Sequence, residues 1–191
     1  MTDLTVLVDR CRDGDQLAWE GLVRRFQGRV YSLAFHYLRD ADEARDASQE
    51  TFIRVYNGLE RYSGETFVPW LLRIARNCCL DRLRRKSARP PASDLQADQA
   101  DELQAPGPGP EESLIRDARQ AMVYRAMAGM SERGREIILL KEIQGLTFPQ
   151  IAEMLEQPVG TVKSRSNRAR LELAKRVLAL EPSYGANRGT L

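Results

Sequence analysis

Side chains able to hydrogen-bond to bases and phosphates are concentrated near the end of the chain. Residues 159–176, VGTVKSRSNRARLELAKR, contain six Lys or Arg against one Glu. Lys and Arg neutralise phosphates, Arg can donate two hydrogen bonds to guanine, and Asn can pair with adenine. In a helix drawn through this segment, Lys163, Ser164, Asn167 and Arg168 project from one face. These residue types therefore suit contact with a nucleic acid.

Two short helices joined by a tight turn are predicted to position these side chains. Thr147 followed by Gln150 indicates a capping box, so the first helix begins near Phe148, and Pro149 is tolerated in its first turn. Pro158 stops that helix because its ring disfavours helical geometry in the preceding residue. The pattern predicts a helix-turn-helix, which can place its second helix in the major groove.

The inner faces of both helices are apolar or small. They comprise Ile151, Met154 and Leu155 in the first helix, and Val162, Ser166, Ala169 and Leu173 in the second. A basic amphipathic helix by itself is usually only a solvated surface. The cap, the proline turn and the narrow inner stripe occur together here, and this combination favours DNA binding.

Charge is strongly segregated along the 191 residues, although the net charge is only +2. Residues 71–89 contain seven Arg or Lys and one Asp, whereas residues 92–113 contain six Asp or Glu and no basic residue. The acidic stretch also contains PGPGP and has little to bury, so we predict a flexible linker between two small domains. Its acidity either maintains solubility or imitates nucleic acid in a basic channel of a larger partner.

Membrane and secreted classes are not indicated. No apolar run approaches the roughly 20 residues that a spanning helix needs, and the N-terminus lacks the features of a signal peptide. We expect a cytoplasmic protein without membrane insertion.

Cysteine and histidine usage indicates neither a metal site nor an enzyme. Cys11, Cys78 and Cys79 form an odd set without a C-x-x-C pair, so free, buried thiols are expected, with a redox role for Cys78 and Cys79 as the alternative. His36 is the only histidine, and no paired nucleophile and base is present. We expect no catalytic residue, metal, cofactor or small-molecule substrate.

An all-α fold is predicted, because helical periodicity persists through the first 86 residues and again after the linker. Helices are expected near residues 4–11, 16–38, from Asp40 or Asp42 to Gly58, and from Trp70 onward. Their apolar faces comprise Leu4, Leu7, Val8 and Cys11; Leu17, Leu22, Phe26, Val30, Leu33 and Tyr37; Ala44, Ala47, Phe52 and Val55; and Trp70, Leu71, Ile74, Ala75, Cys78 and Leu83.

The predicted second domain begins with two more helices. The first contains Leu114, Ile115, Ala118, Met122 and Met127 as one stripe. The second has Ser131 as N-cap, Ile137, Ile138, Leu140 and Ile143 as core, and Gly145 at its end.

Three segments together resemble a bacterial sigma factor of the compact extracytoplasmic-function group. They are DEARDASQETFIRVY from Asp42, FVPWLLRIARNCCLDRLRRK from Phe67, and GLTFPQIAEMLEQPVGTVKSRSNRAR from Gly145. The resemblance implies a region 2 domain in residues 1–88, the linker in 89–112, a region 4 domain in 113–180 and a disordered tail in 181–191.

The resemblance also implies partners and site residues. Core RNA polymerase would contact Asp46, Gln49, Glu50 and Phe52. The minus-ten element of the promoter would be recognised and melted by Tyr62, Ser63, Gly64, Trp70, Arg73, Arg76, Asn77, Arg84 and Arg85. The minus-thirty-five element would contact Thr161, Lys163, Ser164, Asn167 and Arg168.

Members of this group are commonly held inactive by an anti-sigma factor, so such a partner is expected here too. The main alternative is a helix-turn-helix regulator that acts independently of core polymerase. That alternative leaves the arginine-rich fourth helix and the DEARDASQETF segment unexplained.

Overall fold

The computed structural model describes residues 4–63, 66–88 and 121–181, and all regular secondary structure within these ranges is helical. This confirms the predicted all-α class. The chain divides into two compact units, Met1–Asp101 and Glu102–Leu191. The predicted linker and the tail after residue 181 lie outside the described residues.

The first unit is a helical bundle in which α2 packs against α1, α3 and α4. Its elements are α1 (Leu4–Arg12), α2 (Gln16–Leu38), α3 (Ala41–Gly58), a 3₁₀ turn (Leu59–Arg61) and α4 (Phe67–Ala88). The bounds of α2 and α3 match those predicted from the sequence.

Local chemistry explains where these helices begin and end. The Ala18 amide donates to Oδ1 of Asp15 at 3.1 Å, and the amides of Asp42 and Glu43 donate to Asp40, which is the N-cap of α3. These bonds satisfy donors that have no partner inside the helix. At the other end of α2, Arg39 adopts a left-handed conformation with φ 56° and terminates the helix.

The core of the first unit contains most of the predicted apolar residues, including Leu22, Val30 and Val55, each with no exposed surface. Leu17 is the exception, because it was predicted to be inside and is 75% exposed. It lies in the first turn of α2, where the adjacent Ala18 takes the inward position at 3% exposure. Leu17 lies five residues before Leu22, so at about 100° per residue it points about 140° away from that buried side chain.

The second unit contains the helix-turn-helix. Residues 121–128 are helical and form α5, followed by α6 (Glu132–Ile138), a π-helical turn (Leu139–Ile143), α7 (Phe148–Leu155) and α8 (Val159–Leu180). Ser131 caps α6 as predicted, since its Oγ accepts from the Gly134 amide. In α5, Met127 is buried and Met122 is half-buried, while Leu114, Ile115 and Ala118 lie outside the described residues.

The π-helical turn corrects one core assignment. Ile143 was predicted to be buried and is 37% exposed, whereas Leu139 and Gln144 are almost completely buried. The Gln144 amide donates to the carbonyl of Leu139, five residues earlier, at 2.8 Å. A turn closed by this bond contains an extra residue, so the side chains after it are rotated away from the α-helical phase. Gly145 follows with φ 69°.

Within the described ranges, no helix is long and apolar enough to cross a lipid bilayer.

Candidate nucleic-acid and polymerase interfaces

The start of α7 and the turn between α7 and α8 are built as the sequence indicated. The Thr147 amide donates to Oε1 of Gln150 at 2.8 Å, and the Gln150 amide donates back to the Thr147 hydroxyl at 3.4 Å. After α7, Glu156 adopts a left-handed conformation with φ 53° and ψ 48°. Pro158 then precedes the first residue of α8. A non-glycine residue in this conformation costs roughly 1 kcal/mol, which the surrounding turn must offset.

The residues predicted to contact the minus-thirty-five element lie on the outer side of α8. Lys163, Ser164, Asn167 and Arg168 are exposed, and Thr161 is half-buried. The Ser164 hydroxyl donates to the Thr161 carbonyl at 3.0 Å. Val162, Ser166 and Ala169 are buried on the opposite side, as predicted.

Three of the six basic residues in 159–176 are bonded to other side chains inside the second unit. Arg165 donates to Gln157 Oε1 at 2.6 Å, and Arg170 lies 2.7 Å from Glu142. Arg176 pairs with Glu172 at 3.3 Å, and its guanidinium packs on Gly129, where a β-carbon would clash with it. The number of basic residues in the sequence therefore overstates the charge available to a ligand.

An aromatic cluster lies where the 3₁₀ turn leads into α4. The ring centroids of Tyr62 and Trp70 are 4.8 Å apart, and Phe67 lies 5.8 Å from Tyr62 and 5.7 Å from Trp70. Trp70 is half-buried, and its ring lies beside Gly58, where an added β-carbon would be in ordinary van der Waals contact with it at 3.4 Å. Ser63 is exposed next to this cluster, and Gly64 lies outside the described residues.

The predicted minus-ten residues on α4 fall into two groups. Arg73 and Arg76 are half-buried, and Nε of Arg76 donates to the Tyr37 hydroxyl at 3.1 Å. Asn77, Arg84 and Arg85 are exposed. Positions 73, 77 and 84 are spaced by four and seven residues, so α4 presents them as one stripe, and Arg76 lies at its border, three residues from Arg73.

The acidic side of α3 is linked to α4 by an ion-pair network that the sequence did not reveal. Arg82 of α4 approaches Glu43 at 3.0 Å, Glu50 at 3.2 Å and Asp46 at 3.8 Å. Glu50 also pairs with Arg54, which bonds Asp81 at 3.3 Å. Apart from the Glu50–Arg54 pair, which is four residues apart on α3, these partners depend on the packing of two helices and have no signature in local spacing.

The predicted polymerase-contacting residues differ in accessibility. Asp46 and Gln49 are exposed, Glu50 is half-buried in the ion-pair network, and Phe52 is 8% exposed and packs edge-on against Trp19. Two apolar side chains continue the outer face instead, since Ile53 is 61% exposed and Tyr56 is 57% exposed. The available signal was their spacing of four and seven residues from Gln49.

The three thiols are buried, as predicted. Burial raises the pKa of Cys78 and raises the pKa of Cys79 to about 12. Because the thiolate is the reactive form, neither group is activated for nucleophilic chemistry in the folded chain. Among the residues the structure describes, no group of three or more His, Cys, Asp or Glu could hold a metal ion.

Comparison with known families explains the pairing of these two units. Residues 22–89 match the Sigma-70 region 2 family, and residues 120–173 match the Sigma-70, region 4 family. The two units are thus the two conserved regions of a sigma-70-class transcription factor.

Similar proteins show which group of sigma-70-class factors the chain belongs to. The RNA polymerase sigma-H factor of Pseudomonas aeruginosa is 36% identical over 182 residues, covering 92% of this chain and 93% of that protein. The ECF RNA polymerase sigma-E factor of Escherichia coli K12 is 36% identical over 181 residues, covering 92% of this chain and 94% of that protein. The chain belongs to the extracytoplasmic-function (ECF) group of sigma factors, alternative sigma factors that direct promoter-specific transcription by RNA polymerase.

Two solved structures share the fold. CnrH, solved in complex with the cytosolic domain of CnrY, gives a TM-score of 0.61 at 24% identity and covers 91% of this chain and 96% of that chain. The sigma factor RpoE of Bartonella quintana, solved with the anti-sigma factor NepR, gives a TM-score of 0.61 at 19% identity. It covers 85% of this chain and 97% of that chain.

Proposed function

We propose that α4 and the loop before it recognise and melt the minus-ten element, that α8 recognises the minus-thirty-five element, and that α3 binds core RNA polymerase. The observation that supports this division best is the adjacency of the aromatic cluster Tyr62–Phe67–Trp70 to the arginine stripe of α4. Aromatic rings can stack on an unpaired base while arginines bind the backbone phosphates.

At the minus-ten element, exposed Asn77 is suited to hydrogen-bond a base edge, because its amide both donates and accepts. Arg73, Arg76, Arg84 and Arg85 are suited to hold the separated strand. Arg76 is positioned by its bond to Tyr37, so it presents a fixed donor rather than a mobile one. Ser63 and Gly64 complete the proposed loop contacts, with Gly64 beyond the described residues.

At the minus-thirty-five element, Asn167 and Arg168 are proposed to contact bases, with Thr161, Lys163 and Ser164 serving bases or phosphates. The exposure of Asn167 and Arg168 opposite the buried stripe of α8 supports this assignment.

For core polymerase, we propose a contact surface of Asp46, Gln49, Ile53 and Tyr56, bordered by Glu50. The exposed apolar pair supplies area that excludes water, and the carboxylates attract a basic partner surface. Phe52 supports this surface from beneath, through its packing on Trp19.

We further propose that an anti-sigma factor controls the chain, as the solved complex of the Bartonella quintana RpoE with NepR illustrates for that protein. On this proposal the chain acts in the cytoplasm beside the polymerase and performs no chemistry of its own. The functional domains would be residues 1–88 and 113–180, with residues 89–112 as the connection and residues 181–191 as a tail.

Run-off transcription of fragmented genomic DNA, with sequencing of transcript 5′ ends, tests the function directly. Core polymerase is assayed with and without the full chain, and start sites that depend on the chain define its promoters. The expected result is a set of such sites sharing two upstream elements. Absence of chain-dependent transcripts, together with protection of DNA by the chain alone, would favour a regulator that acts independently of core polymerase.

A further inference from the structure

A second basic edge lies on α2, outside the residues assigned above. From Gly21 to Arg39 the sequence contains Arg24, Arg25, Arg29 and Arg39 but no Asp or Glu. Arg24 and Arg25 are exposed, and Arg29 is half-buried.

Arg25 and Arg29 converge on one aromatic ring. Their guanidinium carbons lie 5.7 Å and 5.9 Å from the ring centroid of Phe26, which is only 2% exposed. Packing on the ring fixes both cations, because a guanidinium is attracted to the face of an aromatic ring and loses rotamer freedom there.

Arg25 and Arg29 are close enough for the charge of one to act on the other. The pKa of Arg29 is lowered, first by burial and then by the nearby charge of Arg25. Arg29 nevertheless keeps its charge, since an arginine side chain does not deprotonate in proteins. A phosphate accepts hydrogen bonds from guanidinium groups in a planar, two-point geometry, so two arginines held over one ring suit a phosphate ligand.

This pair adjoins the aromatic cluster of the proposed minus-ten site. Phe26 lies 5.7 Å from Phe67, which contacts both Tyr62 and Trp70. Farther along the same two helices, Tyr37 of α2 meets Arg76 of α4. Since both contacts advance in the same direction along the chain, α2 runs parallel to α4 and places its basic edge beside the cluster.

We propose that Arg25 and Arg29 bind the phosphodiester backbone of the separated DNA strand, next to the nucleotide held by the aromatic cluster. This inference rests on the proposed minus-ten function and extends that surface from α4 to α2. The ligand is single-stranded DNA, and the two arginines contribute affinity without sequence preference because they contact phosphate only.

The test uses holoenzyme and fork-junction DNA taken from a promoter defined by the run-off experiment, with a single-stranded minus-ten extension. The double variant R25Q/R29Q should bind about tenfold more weakly, and the slope of log affinity against log salt should fall by about 1 to 2. The matched control is Arg24→Gln, which removes the same charge from the exposed side of α2 opposite the core. It should bind as the unaltered chain does.

Neutral methylphosphonates placed singly along the extension locate the contact. With the unaltered chain, one or two positions should weaken binding, and R25Q/R29Q should be insensitive at those same positions. If the methylphosphonates at those positions still weaken binding by the double variant, the proposal is overturned. It is also overturned if the double variant and Arg24→Gln bind the DNA equally well.

Two further outcomes separate the causes of failure. Weaker affinity of R25Q/R29Q for core polymerase without DNA would overturn the proposal in favour of a protein contact. If the unaltered chain directs no transcripts, the proposed function itself fails and this inference fails with it. Thermal unfolding followed by tryptophan fluorescence verifies that each variant is folded, because Trp19 and Trp70 both lie in the first unit.

Discussion

Arg82 of α4 directs two guanidinium nitrogens at one oxygen of Glu50 on α3, with Nη2 3.2 Å and Nε 3.3 Å from Oε2. Nη1 donates to Glu43 at 3.0 Å. The helix proposed to bind polymerase is thus fixed to the helix proposed to melt DNA. The Arg82 and Glu50 side chains retain only 22% and 27% of their exposure, so water screens this network less than it screens surface pairs.

Arg82→Ala should destabilise the first unit by roughly 1 to 3 kcal/mol, because Glu43 and Glu50 lose their shared partner while partly buried. Urea unfolding followed by tryptophan fluorescence reports this unit alone. Arg84→Ala is the control, because Arg84 is exposed and its ion pair with Asp81 is long, at 3.4 Å. This substitution should change the free energy of unfolding by less than about 0.5 kcal/mol. Equal effects of the two substitutions would show that the Arg82 network stabilises the first unit no more than an exposed ion pair does.

Ile53→Ala combined with Tyr56→Ala should weaken binding to core polymerase by about tenfold or more, because both side chains are exposed on the outer face of α3. Fluorescence titration of the labelled chain with core polymerase measures the loss. Val6→Ala, which truncates an apolar side chain of α1 that is 50% exposed, serves as the control. If the double variant keeps full affinity, the polymerase surface lies elsewhere.

His36 should make the first unit less stable in mild acid. Burial, and then the nearby charge of Arg39, lowers the pKa of His36 from 6.5 to about 4. The unfolded chain therefore binds the proton more readily, so stability is fully present above pH 6.5 and is lost as the pH falls toward 4. By pH 5 the loss should reach about 2 kcal/mol.

Urea unfolding at pH 7 and at pH 5 measures this loss through the two tryptophans. In His36→Gln the difference between the two pH values should shrink by most of that amount, because the glutamine does not titrate. An unchanged difference would assign the acid sensitivity to carboxylates instead.

Asn77→Ala and Arg168→Ala should damage different steps. We expect Asn77→Ala to impair promoter opening, measured by permanganate reactivity of unpaired thymines, while leaving polymerase affinity unchanged. Arg168→Ala should weaken binding to minus-thirty-five DNA by about 1 to 3 kcal/mol if it contacts a base. Lys175→Ala, another exposed basic position on α8, is its control. If both Asn77→Ala and Arg168→Ala lost affinity for core polymerase, the two residues would not act at separate steps as proposed.

Ser166→Ala should stabilise the second unit by about 1 kcal/mol. The residue is 1% exposed, and its Oγ has no hydrogen-bond partner, so alanine removes an unsatisfied group and favours the helix. Hydrogen exchange of α8 amides should slow about fivefold. In the first unit, Ser48 donates to the Ala44 carbonyl at 2.7 Å, and Ser48→Ala should bring no comparable gain.

The sequence by itself determined most of the helices, several of their caps and the helix-turn-helix. Asp40, Ser131 and the Thr147–Gln150 pair act within three residues of their partners, so local spacing identified the last two and narrowed the start of α3 to Asp40 or Asp42. The buried stripe of α8 was equally visible, because helical periodicity is a local property.

Tertiary structure decided which charges and apolar groups are available to a partner. Arg82, Arg165 and Arg170 are indistinguishable in sequence from ligand-binding arginines, yet each is bonded to a residue brought near by packing or by the turn. Ile143 was misplaced because a π-helical turn shifts the phase of its face, and Leu17 because the adjacent Ala18 takes the inward position. The convergence of Arg25 and Arg29 on Phe26 beside Phe67 likewise depends on how α2 and α4 meet, which no spacing along one helix specifies.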